Sequence, residues 1–250
     1  MKNALTYTFV FLAIQMVGGA LAVLPFETGL IPGNTAMKLI VPAAVTGIII
    51  IVVFLWAKWC EVSRHWVQTR PWSALFWCVL AALGILIPSS WLQEQMPDLP
   101  NIVETEFDII MKDRLGYFVI GLLAPLSEEI VFRGAVLRSL LRWKKNPWVG
   151  IVISAVLFAL IHMNPAQMPH AFLIGLLLGW MYYRTDSIVP GVVYHWINNT
   201  VAYVLYNFYP DPNMKLIDLF GSQTTVLLAL LFSFCIFLPA LYQLNLRLKK

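Results

Sequence analysis

Long apolar runs separated by short polar stretches dominate the sequence. Eight runs are long enough to form helices, and most approach the roughly 20 residues that a helix needs to cross a membrane. They cover residues 4–24, 37–57, 72–92, 115–141, 147–163, 167–183, 188–208 and 223–244. Backbone polar groups in lipid are satisfied only in helices or closed barrels, and these runs are too long for barrel strands. We therefore predict an all-α, polytopic membrane protein with about eight transmembrane helices.

The composition supports this class and leaves no room for a large soluble domain. Of the 250 residues, 60% are hydrophobic and 12% are charged, whereas about 25% of a soluble domain is charged. We predict one integral membrane domain over residues 1–250. The net charge of +4 is typical of basic loops at a membrane surface, so no nucleic-acid partner is expected. The three cysteines are widely spaced and match neither a disulfide framework nor a zinc finger.

The distribution of lysine and arginine predicts the orientation. With both termini in the cytoplasm, twelve of these residues lie on the cytoplasmic side and four lie outside, while Arg133 falls within a span. The positive-inside rule therefore predicts a multi-pass protein with cytoplasmic termini. The loop 93–114 lies outside in this topology and holds six acidic residues. Within it, residues 102–111 predict a short surface helix.

The fourth apolar run contains the three charged residues expected at membrane depth, Glu128, Glu129 and Arg133. A charge in the hydrocarbon region costs several kcal/mol, so such residues indicate a functional site. An alternative is that Ser127 caps a helix whose first turn carries the two acids, and Pro125 leaves open whether the span is broken. Apolar residues continue on both sides of the motif, which favours the intramembrane site.

Helical spacing separates the roles of these charges. Glu129 and Arg133 are four residues apart, so they share a helix face and can form an ion pair that lowers the cost of burying both. Glu128 points about 100° away on the same helix. Without a local counter-ion, it is a candidate general base.

Further polar residues are predicted at a similar depth. His162 ends the fifth run, and His195 and Asn199 share a face of the seventh run. At about 1.5 Å per residue, Glu128 and His162 lie roughly 20 Å from the basic ends of their spans, and Asn199 roughly 16 Å. A single membrane histidine is often an interhelical packing residue, but this combination favours a shared site in a polar intramembrane cavity. His170 is interpreted as a residue of the outer boundary.

Three motifs now resemble a known family. They are Glu128-Glu129-x-x-x-Arg133, Phe158-x-x-x-His162 and His195-x-x-x-Asn199. In this order they resemble the motifs of the CPBP (Abi) intramembrane proteases, which include CAAX-processing proteases and bacteriocin-processing or immunity relatives. The resemblance covers residues 115–205, which we expect to be the catalytic core.

The resemblance implies an endopeptidase with six site residues. Glu128 with His162 would activate the attacking water, while His195 and Asn199 would stabilise the oxyanion. Glu129 and Arg133 would shape and brace the site. Peptide hydrolysis does need a base near the water and donors aimed at the developing negative charge.

The resemblance also implies a protein or lipidated peptide substrate in contact with membrane lipid. One branch of the family suggests prenylated, CAAX-type substrates. We expect the site to open toward the cytoplasm. Two alternatives remain: a non-proteolytic immunity or scaffolding protein of the same fold, and a proton-coupled transporter in which the Glu/His cluster is a relay.

Two chemistries use the same residues. Glu128, His162 and His195 could be ligands of a catalytic Zn²⁺ ion, and family members are often called metalloproteases. Against zinc, the sequence has no His-Glu-x-x-His helix, and a ligating Glu128 could not easily also be the base. We favour a water activated directly by Glu128 and His162.

Overall fold

The computed structural model describes residues 1–61, 72–209 and 214–248, which contain ten helices and no strand. The helices are α1 Lys2–Glu27, α2 Thr35–Trp56, α3 Trp72–Glu94, α4 Glu104–Lys112, α5 Arg114–Trp143, α6 Pro147–Leu160, α7 Met168–Thr185, α8 Val189–Phe208, α9 Leu216–Phe220 and α10 Gln223–Arg247. Four basic residues that entered the orientation prediction, Arg64, Arg70, Lys249 and Lys250, lie outside the described residues. The all-α polytopic class is confirmed.

Each of the eight predicted helices is present. Five of them, α1, α2, α3, α5 and α10, are long and apolar enough to cross a membrane. The helix α6 is apolar but has only 14 residues. The helices α7 and α8 are not among the five, although they have 18 and 20 residues. The polar residues His195, Asn198 and Asn199 in α8 lower its apolar content, which is the expected cost of a site inside a bundle.

The helix α5 occupies the centre of the bundle. In its most apolar stretch 56% of residues are buried, against 11% in α1. Every residue from Ile130 to Leu137 is buried. Because this helix carries the Glu-Glu-x-x-x-Arg motif, the motif lies where the other helices converge.

The helix α5 is irregular around the motif. An α-helical segment, Ala124–Glu129, lies between two π-helical segments, Phe118–Leu123 and Ile130–Leu137. Pro125 does not end the helix. The Ser127 hydroxyl donates to the Ala124 carbonyl at 3.1 Å inside it, so the alternative in which Ser127 caps a new helix is wrong. Short π-helical segments occur frequently at functional sites.

Two large apolar clusters form most of the core of the bundle. One cluster joins α1, α2, α5 and α6, and the other joins α3, α8 and α10. The helix α7 contributes to both, through Ala171 and Tyr182 to the first and through Ile174 and Leu178 to the second. It therefore connects the two halves of the bundle and forms one wall of the interior between them.

The two ends of the bundle differ in charge. At one end, called the basic end, Arg138 of α5 pairs with Glu61 and Arg184 of α7 donates to the Leu248 carbonyl. At the other end, called the acidic end, the loop 95–113 with α4 packs on the bundle through the side chain of Asn164, which accepts from the Ile102 amide. The predicted short helix in this loop is confirmed as α4.

Candidate active site

A buried ion pair forms the base of the site. Arg133 Nη1 lies 2.7 Å from Glu129 Oε1, and both side chains are almost completely buried. The second guanidinium nitrogen donates to the Gly175 carbonyl at 3.3 Å, and the guanidinium carbon lies 4.4 Å from the centre of the Phe158 ring. The pairing predicted from the four-residue spacing is confirmed. These contacts offset part of the cost of taking both charges out of water.

Two glycines let helices approach this pair. A Cβ on Gly175 of α7 would lie 3.0 Å from the Ala155 Cα of α6. A Cβ on Gly191 of α8 would lie 2.6 Å from Glu129 Oε2. The absence of a side chain at Gly191 allows α8 to pass directly over the carboxylate. His195, one helical turn further, then reaches the same group.

His195 lies between the two glutamates. Its Nδ1 atom is 3.2 Å from Glu129 Oε1, and its Nε2 atom is 3.8 Å from Glu128 Oε2. The first distance is that of a hydrogen bond, and the second is longer than a direct one. Since an ionised carboxylate only accepts, Nδ1 carries the hydrogen of the bond to Glu129. The histidine ring is thereby oriented with Nε2 toward Glu128.

Glu128 faces a cavity of about 270 Å³. The polar residues that line it are Glu128, His162, Gln167, His170, His195, Asn198 and Asn199. The structure thus brings four of the six predicted site residues to one space. Glu129 and Arg133 are not among the described residues that line it, and they lie behind its wall.

His162 is fixed by its own helix. Its Nδ1 atom lies 2.8 Å from the Phe158 carbonyl oxygen, one turn earlier, and its ring stands edge-on to the Phe158 ring at 5.0 Å. With the hydrogen on Nδ1, the ring donates to this carbonyl and Nε2 is left as an acceptor on the cavity side. Within the described residues, His195 rather than His162 comes within 4 Å of Glu128 as an ionic partner.

Asn199 is anchored to α5 at a backbone carbonyl that lacks its partner within that helix. Its Nδ2 atom donates to the Ile120 carbonyl at 3.0 Å. In the π-helical pattern this carbonyl would accept from residue 125, five positions on, but Pro125 has no amide hydrogen. The carbonyl is therefore available to a side chain, and Asn199 satisfies it.

Asn198 was missed by the sequence reasoning. It lines the cavity, donates to Asn199 Oδ1 at 3.3 Å, and its own Oδ1 is buried without a hydrogen-bond partner in the described structure. A buried amide oxygen without a partner costs free energy. The signal in the sequence was the second asparagine next to Asn199. Gln167 and His170, which also line the cavity, were similarly not predicted as site residues.

The cavity lies at the acidic end of the bundle. Phe107 and Met111 of α4 contribute to its wall, and so does Gln167 in the turn before α7. None of the described residues that line it comes from the basic end. The site was expected to open toward the cytoplasm, which the positive-inside rule assigns to the basic end; the cavity instead lies nearer the acidic end. With only 14 residues, α6 ends at Leu160, so the roughly 20 Å estimated for His162 brings it to the far end of that helix.

A larger apolar cavity adjoins the first. It has a volume of about 550 Å³ and lies between α3, α7, α8 and α10. His170 and Ile174 line both cavities, and the remaining wall is mainly aliphatic and aromatic, including Leu173, Leu230 and Phe234. An apolar group of moderate size could therefore be held directly beside the Glu/His cluster.

The arrangement does not fit the proposed zinc ligands. Among the described residues, no three His, Cys, Asp or Glu side chains come together in a group that could hold a metal ion. We therefore derive no step through a metal.

The comparisons with known proteins agree with the three motifs. Residues 111–201 match a family model described as type II CAAX prenyl endopeptidase Rce1-like. The UPF0177 protein YxdF of Lactococcus lactis subsp. lactis (strain IL1403) is 23% identical over 157 residues, covering 59% of this chain and 86% of that protein. No solved structure matches. The matched segment runs from the end of α4 to the middle of α8 and contains all six predicted site residues, so the resemblance to the CPBP proteases is confirmed over residues 111–201 of this integral membrane protein.

Proposed function

We propose that the protein is an intramembrane endopeptidase that hydrolyses peptide bonds of membrane-associated substrates. The observation that carries the proposal is the Glu128 carboxylate, which faces a cavity beside His195 while Glu129 and Arg133 neutralise each other behind the wall. One glutamate is therefore free for proton transfer. The match to a family described as endopeptidases supports the same reaction.

Glu128 acts as the general base. A water in the cavity donates one hydrogen to the Glu128 carboxylate and a second to the acceptor Nε2 of His162, which leaves a lone pair on its oxygen for attack. The oxygen bonds to the peptide carbonyl carbon as its proton passes to Glu128. When the tetrahedral intermediate collapses, the carbon–nitrogen bond breaks and protonated Glu128 returns the proton to the leaving amine.

His195 and Asn199 stabilise the oxyanion. With Nδ1–H directed at Glu129, His195 donates from Nε2 only as an imidazolium, and it lies between two carboxylates. Asn199 uses one amide hydrogen on the Ile120 carbonyl and keeps the second for the substrate. Donors of this kind typically contribute about 100- to 1,000-fold in rate.

Glu129 and Arg133 are positioning residues in this scheme. Arg133 fixes the Glu129 carboxylate, and Glu129 fixes the His195 ring. Neither residue lines the cavity, so their effect on the reaction passes through His195.

The substrate carries an apolar chain next to the bond that is cleaved. The apolar cavity of about 550 Å³ shares His170 and Ile174 with the Glu/His cavity, and its volume lies in the usual range for small-molecule sites. A lipidated or membrane-bound peptide suits this pair of cavities. A prenylated, CAAX-type peptide is the model substrate, as the family description suggests.

The termini face the cytoplasm and the cavity lies toward the opposite side. The basic residues Lys58, Arg138, Arg142 and Arg184 lie at the basic end, which the positive-inside rule places in the cytoplasm. The substrate bond then enters from the acidic, non-cytoplasmic end, beside α4.

The test is cleavage by purified protein. Prenylated peptides and the same peptides without the prenyl group are incubated with wild-type protein and with Glu128→Gln, and the products are read by mass spectrometry. Prenyl-dependent cleavage by wild type alone supports the proposal. A folded wild-type protein that cleaves no member of the library would favour the non-proteolytic scaffold.

A further inference from the structure

A second polar cavity lies at the basic end and shares no lining residue with the Glu/His cavity. It has a volume of about 430 Å³. Four cationic side chains line it, together with one carboxylate. They are Lys2, Lys58, Arg138, Arg142 and Glu61. We call this cavity the basic cleft; neither the three motifs nor the proposed reaction uses it.

The cations of the basic cleft are only partly neutralised. Glu61 pairs with Arg138 at 2.5 Å, and its side chain is 68% exposed whereas that of Arg138 is 15% exposed. The hydrogen bond from Arg138 lowers the pKa of the Glu61 carboxyl below its ordinary value, so the carboxylate is ionised at neutral pH. Within the described residues, no ion pair joins Lys2, Lys58 or Arg142 to a carboxylate. The cleft thus has an excess of positive charge.

The wall of the cleft is partly aromatic and packs closely against α5. The rings of Tyr7 and Trp59 are 4.9 Å apart, and Trp59 stands edge-on to Phe54 at 5.1 Å. Cys60 packs against Gly134 of α5, where a side chain would overlap the sulfur. The segment after α2, which includes Lys58, therefore packs against α5.

The cleft lies at headgroup depth. It forms where α2 ends at Trp56 and where α5 approaches its end at Trp143, and tryptophans are typical of the membrane–water interface. Basic pockets between helices at this level suit phosphate-bearing headgroups. Arginine also provides paired donors that match the geometry of a phosphate.

We propose that the basic cleft binds a phosphate group, with an anionic phospholipid headgroup as its main source. Lys58 and Arg142 contact the phosphate from the exposed side, and Arg138 contacts it in exchange for part of its bond to Glu61. Because Arg138 lies on α5, five residues after Arg133, a bound headgroup would hold the helix that carries both glutamates. The binding itself does not depend on the proposed peptidase activity.

The experiment measures lipid binding to the full-length protein in detergent by native mass spectrometry. The probes are phosphatidylglycerol, phosphatidylcholine and inorganic phosphate. We expect phosphatidylglycerol to bind at least about tenfold more tightly than phosphatidylcholine. Lys58→Gln and Arg142→Gln should each weaken its binding about fivefold. Lys145→Gln removes the same charge from an exposed position after α5 and outside the cleft, and it should change binding less than about twofold.

A variant that binds the lipid more tightly than the wild type distinguishes a specific site from the effects of misfolding. Glu61→Gln removes the competing carboxylate and should tighten phosphatidylglycerol binding, and loss of function by misfolding cannot produce that result. Displacement of the lipid by millimolar inorganic phosphate would support the site with free phosphate as its occupant. Equal binding of the two lipids, or equal losses in Lys145→Gln and Lys58→Gln, would overturn the proposal.

Discussion

His195 Nδ1 lies 3.2 Å from Glu129 Oε1, the same oxygen that accepts from Arg133 at 2.7 Å. The second glutamate of the motif is therefore committed to two buried partners and has no access to the cavity. The first glutamate has the cavity and meets only the far side of the His195 ring. The two adjacent carboxylates thus have different environments. The buried Glu129 suits a positioning role, and Glu128, which faces the cavity, suits proton transfer.

Replacement of Glu128 by glutamine should abolish cleavage and preserve the fold. Glutamine keeps the size of the side chain and cannot accept the proton of the attacking water. A loss of about 100- to 10,000-fold in turnover is expected. Activity is measured with any peptide that the wild type cleaves, and thermal unfolding in the same detergent serves as the control. Substantial turnover by the purified variant would exclude Glu128 as the base.

Removal of one partner of the Glu129–Arg133 pair should destabilise the protein. Glu129→Ala or Arg133→Ala leaves a buried charge without its counter-ion, which typically costs about 3–5 kcal/mol. The paired replacement Glu129→Gln with Arg133→Met should cost less than either single change, because no uncompensated charge remains. Unfolding temperatures in detergent provide the measurement.

The control for this series is an exposed ion pair. Lys38 and Glu27 lie 2.9 Å apart near the surface, so Glu27→Ala should cost less than about 1 kcal/mol. If Glu129→Ala and Arg133→Ala both unfold at the wild-type temperature, the buried pair does not support the site.

A methyl group at Gly191 should disturb catalysis through His195. The new Cβ would lie 2.6 Å from Glu129 Oε2, so either the carboxylate or α8 must move. We expect Gly191→Ala to lower kcat at least about tenfold with a smaller change in KM, since sub-ångström displacements at such sites are costly. Gly19→Ala is the matched control, because a Cβ there meets no atom within 4 Å. Full activity in Gly191→Ala would show that the close approach is not needed.

Cysteine labelling should place the two ends of the bundle on opposite sides of the membrane. Cys60 and Cys78 are buried and Cys235 is exposed, so Cys235→Ser provides the background. In sealed right-side-out vesicles, Asp98→Cys should react with an impermeant maleimide and Lys145→Cys should react only after permeabilisation. The reverse pattern would place the basic end outside and the Glu/His cavity on the cytoplasmic side.

The spacing of residues along the sequence predicted the helices well, but it predicted few of the contacts between helices. Apolar length alone located the eight helices, and the four-residue interval between Glu129 and Arg133 predicted their pair. The approach of His195 to Glu129 could not be predicted, because it depends on the missing side chain of Gly191 in a different helix. The depth estimate placed Glu128 and His162 at one level near the middle of the membrane, and the expected opening toward the cytoplasm did not follow from that depth.

The contribution of α4 to the wall of the cavity could not be predicted from the sequence either. Its residues Phe107 and Met111 were expected on a surface helix, yet both line the cavity and Met111 is buried. Tertiary contacts hold it there: Asn207 of α8 donates to the Met111 carbonyl, and Tyr206 bonds to Asp108. A sequence pattern over nine residues does not contain those partners.

The π-helical segments of α5 have a consequence for how this sequence aligns with its homologues. A π-helical turn contains one residue more than the α-helical turn that it replaces. A helix can therefore accommodate a single-residue insertion by forming such a turn. One such turn at Phe118–Leu123 leaves the carbonyl of Ile120 to Asn199. A homologue with an uninterrupted α-helix in this place would be one residue shorter. Its sequence alignment with this chain should therefore contain a gap inside the membrane-spanning helix, a few residues before the glutamates, rather than in a loop.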